Sequence, residues 1–319
     1  MGSTGDGRRR SGRTARVLVG VVCAAVVGLV AAAEVRAVGP TSAARPTTGA
    51  LAGIPSFSHV IVVVMENKEY DEVVGSSSAP TFAALAHRYA LLTDYSGVAH
   101  PSLPNYLALV SGSTQGITSD CTSCEVDARN LADTLGRAGK SWKTYAEGLP
   151  QPGFTGPSAG RYAKKHNPFV YFKDVTGNPS RLRNIVPLSA FRSDLKARRL
   201  PNFSLVVPDL CHDMHDCSVA TGDTWLASFL KPLLSSPAMS KGVVFVVFDE
   251  GTSSAGGGGH VPALVLGASV RPGSRVAMAL NHYSLLRTIE ESWHLPFLGA
   301  SATAAPIAGI WRRAGRNTP

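Results

Sequence analysis

Short, uninterrupted apolar runs alternate along this chain with longer stretches in which apolar residues recur every three or four positions. His59–Met65 (HVIVVVM) and Gly242–Phe248 (GVVFVVF) are apolar throughout, as strands covered on both faces of a parallel sheet are. Trp142–Ala146, Phe203–Val207 and residues 261–266 predict further strands. Helical periodicity predicts a helix opening at Pro80 and running to about residue 92, and others over 104–110, 130–138, 221–234 and 283–293. Strands alternating with helices predict an α/β fold, a mostly parallel sheet with helices on both faces. Between about 148 and 200 the pattern loosens into Pro, Gly, Arg and Lys, which predicts an insertion or cap within one domain. There is no internal repeat.

The N-terminus has a different pattern. Arg8, Arg9, Arg10, Arg13 and Arg16 precede an apolar run over 17–33, followed by small residues around Val35-Arg36-Ala37. This is the layout of a secretory signal peptide over 1–37; a run of 17 residues is at the short limit for a membrane anchor, the alternative reading. Residues 38–55, with Pro40, Pro46 and Pro55, predict a flexible leader, and 56–319 the catalytic domain. Export gives the cysteines a meaning. Beyond Cys23, which lies in the apolar run, Cys121, Cys124, Cys211 and Cys217 remain, an even number suited to two disulfides. Pairing of near neighbours is the simplest of three connectivities. A zinc reading of Cys211, His212, His215 and Cys217 is the alternative, but their spacing does not fit an ordinary zinc knuckle.

With 319 residues, 44% hydrophobic and 17% charged, the chain is neither disordered nor fibrous. Its net charge of +9 invites a nucleic-acid reading. Six arginines against Asp6 and Glu34 place nearly half of that charge in 1–37. The remaining basicity is modest and no nucleic-acid module is present, so no nucleic-acid partner is expected.

In an open parallel sheet, ligands bind beyond the carboxyl ends of the strands. Glu66-Asn67 follow the first strand, and Asp249-Glu250 follow Gly242–Phe248. Phe203–Val207 leads into Asp209 and the run His212-Asp213-Met214-His215-Asp216. Oxygen-rich groups with some imidazole suit a hard or borderline divalent cation. His100-Pro101-Ser102-Leu103-Pro104-Asn105 opens a helix. There Ser102 would stand at a helix N-terminus that favours a phosphate, and a nearby metal would make it a nucleophile. Asn105 would donate to a phosphate oxygen. Arg161, Lys164, Lys165 and His166 form a basic cluster suited to an anionic substrate. No G-x-S-x-G elbow, Walker loop or dinucleotide fingerprint occurs.

Five segments taken together, HVIVVVMENKEYDEVVG, HPSLPNYLALVSGST, VVPDLCHDMHDCS, VVFVVFDE and NHYSLLRTIEESWHLP, resemble the bacterial phosphoesterase family of acid phosphatases and C-type phospholipases. The resemblance covers roughly 57–312 and is strongest to the secreted acid phosphatases that act on phosphatidylinositol 3-phosphate; GRYAKKHNPFVYF over 160–172 is similar to that branch. It implies an alkaline-phosphatase-like α/β fold and a metal-dependent monoesterase. Glu66, Asn67, Asp249, Glu250 and Asp213 would hold a divalent metal ion and Ser102 would be the nucleophile. His100 or His215 would transfer protons, while Arg161, Lys164, Lys165 and His282 would bind substrate. The expected partner is a phosphorylated small molecule or phosphoinositide headgroup, met at a membrane surface through the substrate, and the expected state is a monomer. The alternatives are a phospholipase C-type diesterase and a non-catalytic phosphoinositide-binding protein. Asp209 stands where the resemblance leads one to expect Asn.

Overall fold

The computed structural model describes Gly2 and residues 53–312. The segment expected to be a signal peptide and most of the expected leader lie outside the described residues, as does Cys23. No described helix is long and apolar enough to cross a membrane.

Eight strands form one sheet. They are β1 (His59–Met65), β2 (Ala90–Leu92), β3 (Trp142–Ala146), β4 (Ile185–Pro187), β5 (Phe203–Val207), β6 (Gly242–Phe248), β7 (Ala263–Leu266) and β8 (Ser274–Val276). Their order is β8-β2-β7-β6-β1-β5-β3-β4. Seven run in one direction and β7 runs against its neighbours β6 and β2. The longest strands lie at the centre. In β6 all seven residues are buried and in β1 six of seven, so helices must cover both faces. The principal helices are α1 (Pro80–Arg88), α2 (Ser102–Ser111), α3 (Leu131–Arg137), α4 (Ser189–Lys196), α5 (Val219–Leu234) and α6 (His282–Trp293). They meet in pairs, α2 against α6 and α1 against α5.

Local chemistry sets the helix starts. Ser218 caps α5 through Thr221 N–H at 3.3 Å, and Asn281 caps α6 through Tyr283 N–H at 3.0 Å. At α3, Asn130 Oδ1 accepts from Ala132 N–H at 2.9 Å while Asp133 accepts from Asn130 N–H at 3.0 Å, a reciprocal cap.

Two expectations change. The helix expected over 80–92 ends at Arg88, and Ala90–Leu92 crosses into the sheet between β7 and β8. A three-residue apolar run carries no period, so pairing rather than propensity decides its state. The loosened segment over 148–200 holds the small hairpin Ser158–Ala159 with Tyr162–Ala163 and the short turns Lys164–His166 and Pro168–Tyr171. Its last part is sheet architecture, however: β4 is the edge strand beside β3, and α4 packs on both.

Candidate active site

Register builds the floor of the site. Met65 of β1 stands opposite Phe248 of β6, so the next residues, Glu66 and Asp249, leave the sheet side by side. Asn67 takes a left-handed φ of 58° and turns the chain so that its N–H donates to Asp249 Oδ1 at 3.2 Å. Glu66 N–H donates to Asp213 O at 2.8 Å, which ties the end of β1 to the loop after β5. Disulfide Cys211–Cys217 closes that loop and Cys121–Cys124 closes another, the near-neighbour pairing.

Ser102 is the first residue of α2 and is buried. Its Oγ lies 3.2 Å from Glu66 Oε2 and 3.2 Å from Glu250 Oε1. One hydroxyl carries one hydrogen, so one of these carboxylates faces Oγ without receiving it and needs a proton or a cation of its own. Tyr106, one turn along α2, donates its phenol to Glu66 Oε1. Asn105 does something other than expected. Its Oδ1 accepts from Val98 N–H at 2.8 Å and Ala99 N–H at 3.1 Å, while Nδ2 donates to Ala99 O at 2.7 Å and Pro101 O at 3.2 Å. Both amide hydrogens are therefore committed to the approach loop, and none remains for a phosphate oxygen. The helix N-terminus is also partly taken, because Leu103 N–H donates to Asp120 Oδ1 at 3.0 Å.

His166, expected in a basic cluster with Arg161, Lys164 and Lys165, is instead turned into the interior. The ring is 1% exposed, stacked on Tyr106 with centroids 5.2 Å apart. Its Nε2 is 3.3 Å from Glu66 Oε2 and its Nδ1 3.5 Å from Asp213 Oδ2. Burial foremost, then the charges of Lys165 and His215, holds its pKa well below the usual value, so the imidazole is neutral and able to donate a lone pair. Glu66, His166 and Asp213 bring ligand atoms within 4.8 Å of one another.

The carboxylates here are strained electrostatically. Burial, reinforced by the charges of Asp249 and Asp213, pushes Glu66 well above the carboxylate range. Burial likewise raises Asp213 to about 7 and, with Glu250 beside it, Asp249 to about 7. Glu250 is raised for the same first reason. Asp213 Oδ2, Asp249 Oδ2 and His166 Nε2 are buried without a hydrogen-bond partner among the described residues. Buried polar atoms are rarely left so. Four carboxylates and a neutral imidazole, with three ligand atoms among them orphaned, fit a divalent cation, whose charge would offset theirs.

The remaining candidates separate by what their atoms already do. His100 donates Nε2–H to Ser253 O at 2.8 Å and pairs Nδ1 with Glu250 Oε2. Burial alone would lower its pKa, but the Ser253 carbonyl and the Glu250 carboxylate outweigh it and raise it. His282 is buried, with Nε2 donating to Asp249 O at 2.5 Å and Nδ1 3.0 Å from Tyr95 Oη. Burial lowers its pKa to about 4. It is a prop beneath Asp249, with no face left for substrate. His215 holds Nδ1 against Asp216 Oδ1 at 2.7 Å, and its ring centroid is 6.1 Å from that of His166. Lys165 donates to Asp120 Oδ2 at 3.0 Å, and Lys164 to Thr122 O at 2.7 Å. Arg161 is exposed.

A second cluster adjoins the first. Glu147, at the end of β3, Asp209 and His212 also converge, His212 Nδ1 lying 2.9 Å from Glu147 Oε2. The pair lines a cavity of about 920 Å³ walled by Trp225 and Phe229 of α5 and by Arg192 of α4. Glu147 had no signal in the sequence beyond its place at a strand end.

Residues 76–296 match the phosphoesterase family. A Mycobacterium tuberculosis phosphatidylinositol-3-phosphatase is 38% identical over 292 residues, 90% of this chain and 93% of its own length. A probable acid phosphatase of Kluyveromyces lactis is 32% identical over 256 residues, 76% of this chain but only 60% of its own, so the chain spans about three fifths of that relative. A solved protein of the alkaline phosphatase superfamily from Vibrio parahaemolyticus shares the fold, with a TM-score of 0.53 at 14% identity over 76% of this chain and 68% of that one. The family read from five motifs is thus matched over most of the chain. The chain belongs to the phosphoesterase family of phosphate-ester hydrolases, on an alkaline-phosphatase-like fold.

Proposed function

We propose that this chain is an exported, metal-dependent acid phosphatase that hydrolyses phosphate monoesters through Ser102, with phosphatidylinositol 3-phosphate as its substrate class. The observation that carries the reading is Ser102 Oγ, 3.2 Å from each of two carboxylates inside a buried cluster. Export rests on the N-terminal pattern and on two disulfides. The expected state is a monomer.

Glu66, Asn67, Asp249, Glu250 and Asp213, together with His166, would hold the cation. When bound, it supplies neutralisation of phosphoryl oxygens and of the developing serine oxyanion. The chain's own groups do the rest. As Ser102 Oγ bonds to phosphorus, its proton passes to Glu250 or Glu66. The ester bond breaks, and the departing alkoxide takes a proton from His215, whose Nδ1 is fixed by Asp216. Water then attacks the phosphoserine and gives one proton back to His215; as the bond from phosphorus to Oγ breaks, the carboxyl that took the Ser102 proton returns it to Oγ, releasing phosphate and restoring Ser102. Lys165, which faces the cluster from its rim, attracts the anionic substrate together with Lys164 and Arg161. The neighbouring cavity receives the alcohol portion.

The test is a panel of phosphatidylinositol 3-phosphate, p-nitrophenyl phosphate and phosphatidylcholine, with defined divalent ions. Monoesters should release phosphate, and stringent chelation should silence the reaction. Ser102→Ala should lower kcat by roughly three orders of magnitude with an unchanged Tm. A near-normal rate would remove Ser102 from the reaction, and headgroup release from phosphatidylcholine alone would make the enzyme a diesterase.

A further inference from the structure

Glu69 lies two residues beyond the candidate ligand Asn67 and is only partly buried, yet its carboxylate is engaged as closely as those within the cluster. Oε1 accepts from Thr252 N–H at 2.8 Å and from Ser253 N–H at 2.7 Å. These two residues begin the glycine-rich loop that follows β6. The carbonyl of Ser253 accepts His100 Nε2–H at 2.8 Å. A carbonyl can only accept, so this bond fixes which way the imidazole faces. The other ring nitrogen then meets Glu250 Oε2, and Glu250 Oε1 is the group 3.2 Å from Ser102 Oγ. An unbroken chain of hydrogen bonds thus runs from Glu69 through Ser253, His100 and Glu250 to Ser102.

The loop is shaped around that carboxylate. A Cβ on Gly251 would lie 2.3 Å from Glu69 Oε1, and one on Gly259, at φ +90°, would lie 2.8 Å from it. Only residues without a side chain leave the hollow that the carboxylate fills. The far end of the loop is bound backbone to backbone, with Gly97 N–H donating to Gly259 O at 3.0 Å. Val98 and Ala99, the next residues, are those gripped by Asn105. Loop and approach segment are therefore one unit, clamped by Glu69 on one side and by Asn105 on the other.

We infer that Glu69 is a positioning residue: by holding Thr252 and Ser253 it sets the orientation of His100, and through His100 that of Glu250 and Ser102. It touches no reacting atom. The inference rests on Ser102 as the reacting group only for its kinetic consequence, since the geometry of His100 is observable without turnover.

Two readouts test it on the full chain. In protein with ¹⁵N-labelled histidine, the His100 Nε2–H signal, assigned by its loss in His100→Gln, should be present and slow to exchange. It should persist in Glu69→Gln, which keeps an acceptor oxygen, and vanish in Glu69→Ala. Glu69→Asp, too short to reach both N–H groups, should weaken it and serves if the alanine variant does not fold. In steady-state kinetics with p-nitrophenyl phosphate, Glu69→Ala should lower kcat roughly tenfold or more, with KM within about twofold. Glu69→Gln should recover most of that loss. In a His100→Gln background Glu69→Ala should add nothing further. An unchanged His100 signal in Glu69→Ala overturns the inference, as does a kcat loss that persists undiminished in the double variant. If wild-type protein hydrolyses no monoester, the phosphatase reading fails, and the His100 signal alone decides the role of Glu69.

Discussion

His215 Nε2 has no partner among the described residues while Asp216 fixes Nδ1 at 2.7 Å, whereas His100 and His282 have both nitrogens engaged and His166 is sealed from solvent. A proton donor for a leaving alcohol needs a ring nitrogen that is both open to solvent and without a partner, and of these four His215 is the one that offers it. His215→Asn should therefore cost alkyl monoesters roughly 10² to 10⁴ in kcat, because an alkoxide cannot leave unprotonated. Its effect on p-nitrophenyl phosphate, whose leaving group is already stable as an anion, should stay within about tenfold. Equal losses on both substrates would show that His215 acts on something other than the leaving group. The sequence located the residue but could not rank it. His212, His215 and His166 all stand beside charged neighbours in the chain, and only folding shows which ring is buried, which is tied down and which is free. His166 is the sharpest case: the two lysines before it give it the look of a basic cluster, while the turn Lys164–His166 points it inward against Tyr106.

Helix α6 carries a proton account of its own. Glu290 is buried at 0% exposure, with Oε1 accepting Leu298 N–H at 2.9 Å and Oε2 2.6 Å from Ser301 Oγ. Ser301 Oγ is also 2.7 Å from Leu298 O. Its single hydrogen satisfies one oxygen, and the carbonyl can only accept. The network closes when Glu290 is protonated and donates to Ser301. Burial pushes its pKa up to about 7, against the pull of Ser301, Leu298 and Arg287. A carboxyl raised on folding binds its proton more tightly in the native state. Its contribution is thus fully present below the unfolded value near 4.5 and is lost as pH rises through about 7. Glu290→Gln keeps a donor and an acceptor without the charge, so at pH 8 it should be more stable than wild type by about 2 kcal/mol, a gain that disappears at pH 4. Denaturant unfolding at the two values checks it, and a pH-independent difference would refute the protonated network. Such accounts are invisible to periodicity. The apolar runs of β1 and β6 were legible because full burial leaves no polar alternative. The break at Tyr89 was not, since it depends on partners more than 150 positions away, as the pairing of Leu92 with Ala263 shows; nor was the reversed direction of β7, because an apolar run reads the same whichever way its strand is paired.

At the scale of the whole molecule, the fold gathers carboxylates where its own cations do not balance them. Glu66, Asp213, Asp249 and Glu250 meet at the carboxyl ends of β1, β5 and β6, while Lys165 already answers Asp120 and His100 pairs with Glu250 alone. The net charge of the chain, positive overall, is no guide to this centre. Without a metal, burial foremost, with the charges of Asp209 and Asp216 on Asp213 and of Glu250 on Asp249, holds both at about 7, so the native state retains protons there that the unfolded chain gives up near 4. Stability of the metal-free protein should therefore fall as pH rises from about 4 to 7. A divalent cation reverses the sense. It would bind the ionised carboxylates, so its affinity should climb over the same interval as protons cease to compete, and it would stabilise only the folded chain. Thermal unfolding of chelated protein should give a higher Tm at pH 5 than at pH 7.5. Saturating divalent ion should raise Tm more at pH 7.5 than at pH 5. Asp249→Asn, which replaces one of the repelling charges by an amide, should flatten the chelated profile and shrink the gain from the ion. A chelated protein whose Tm rises from pH 5 to 7.5, or an ion effect that is largest in acid, would mean that these carboxylates are not the groups that hold the cation.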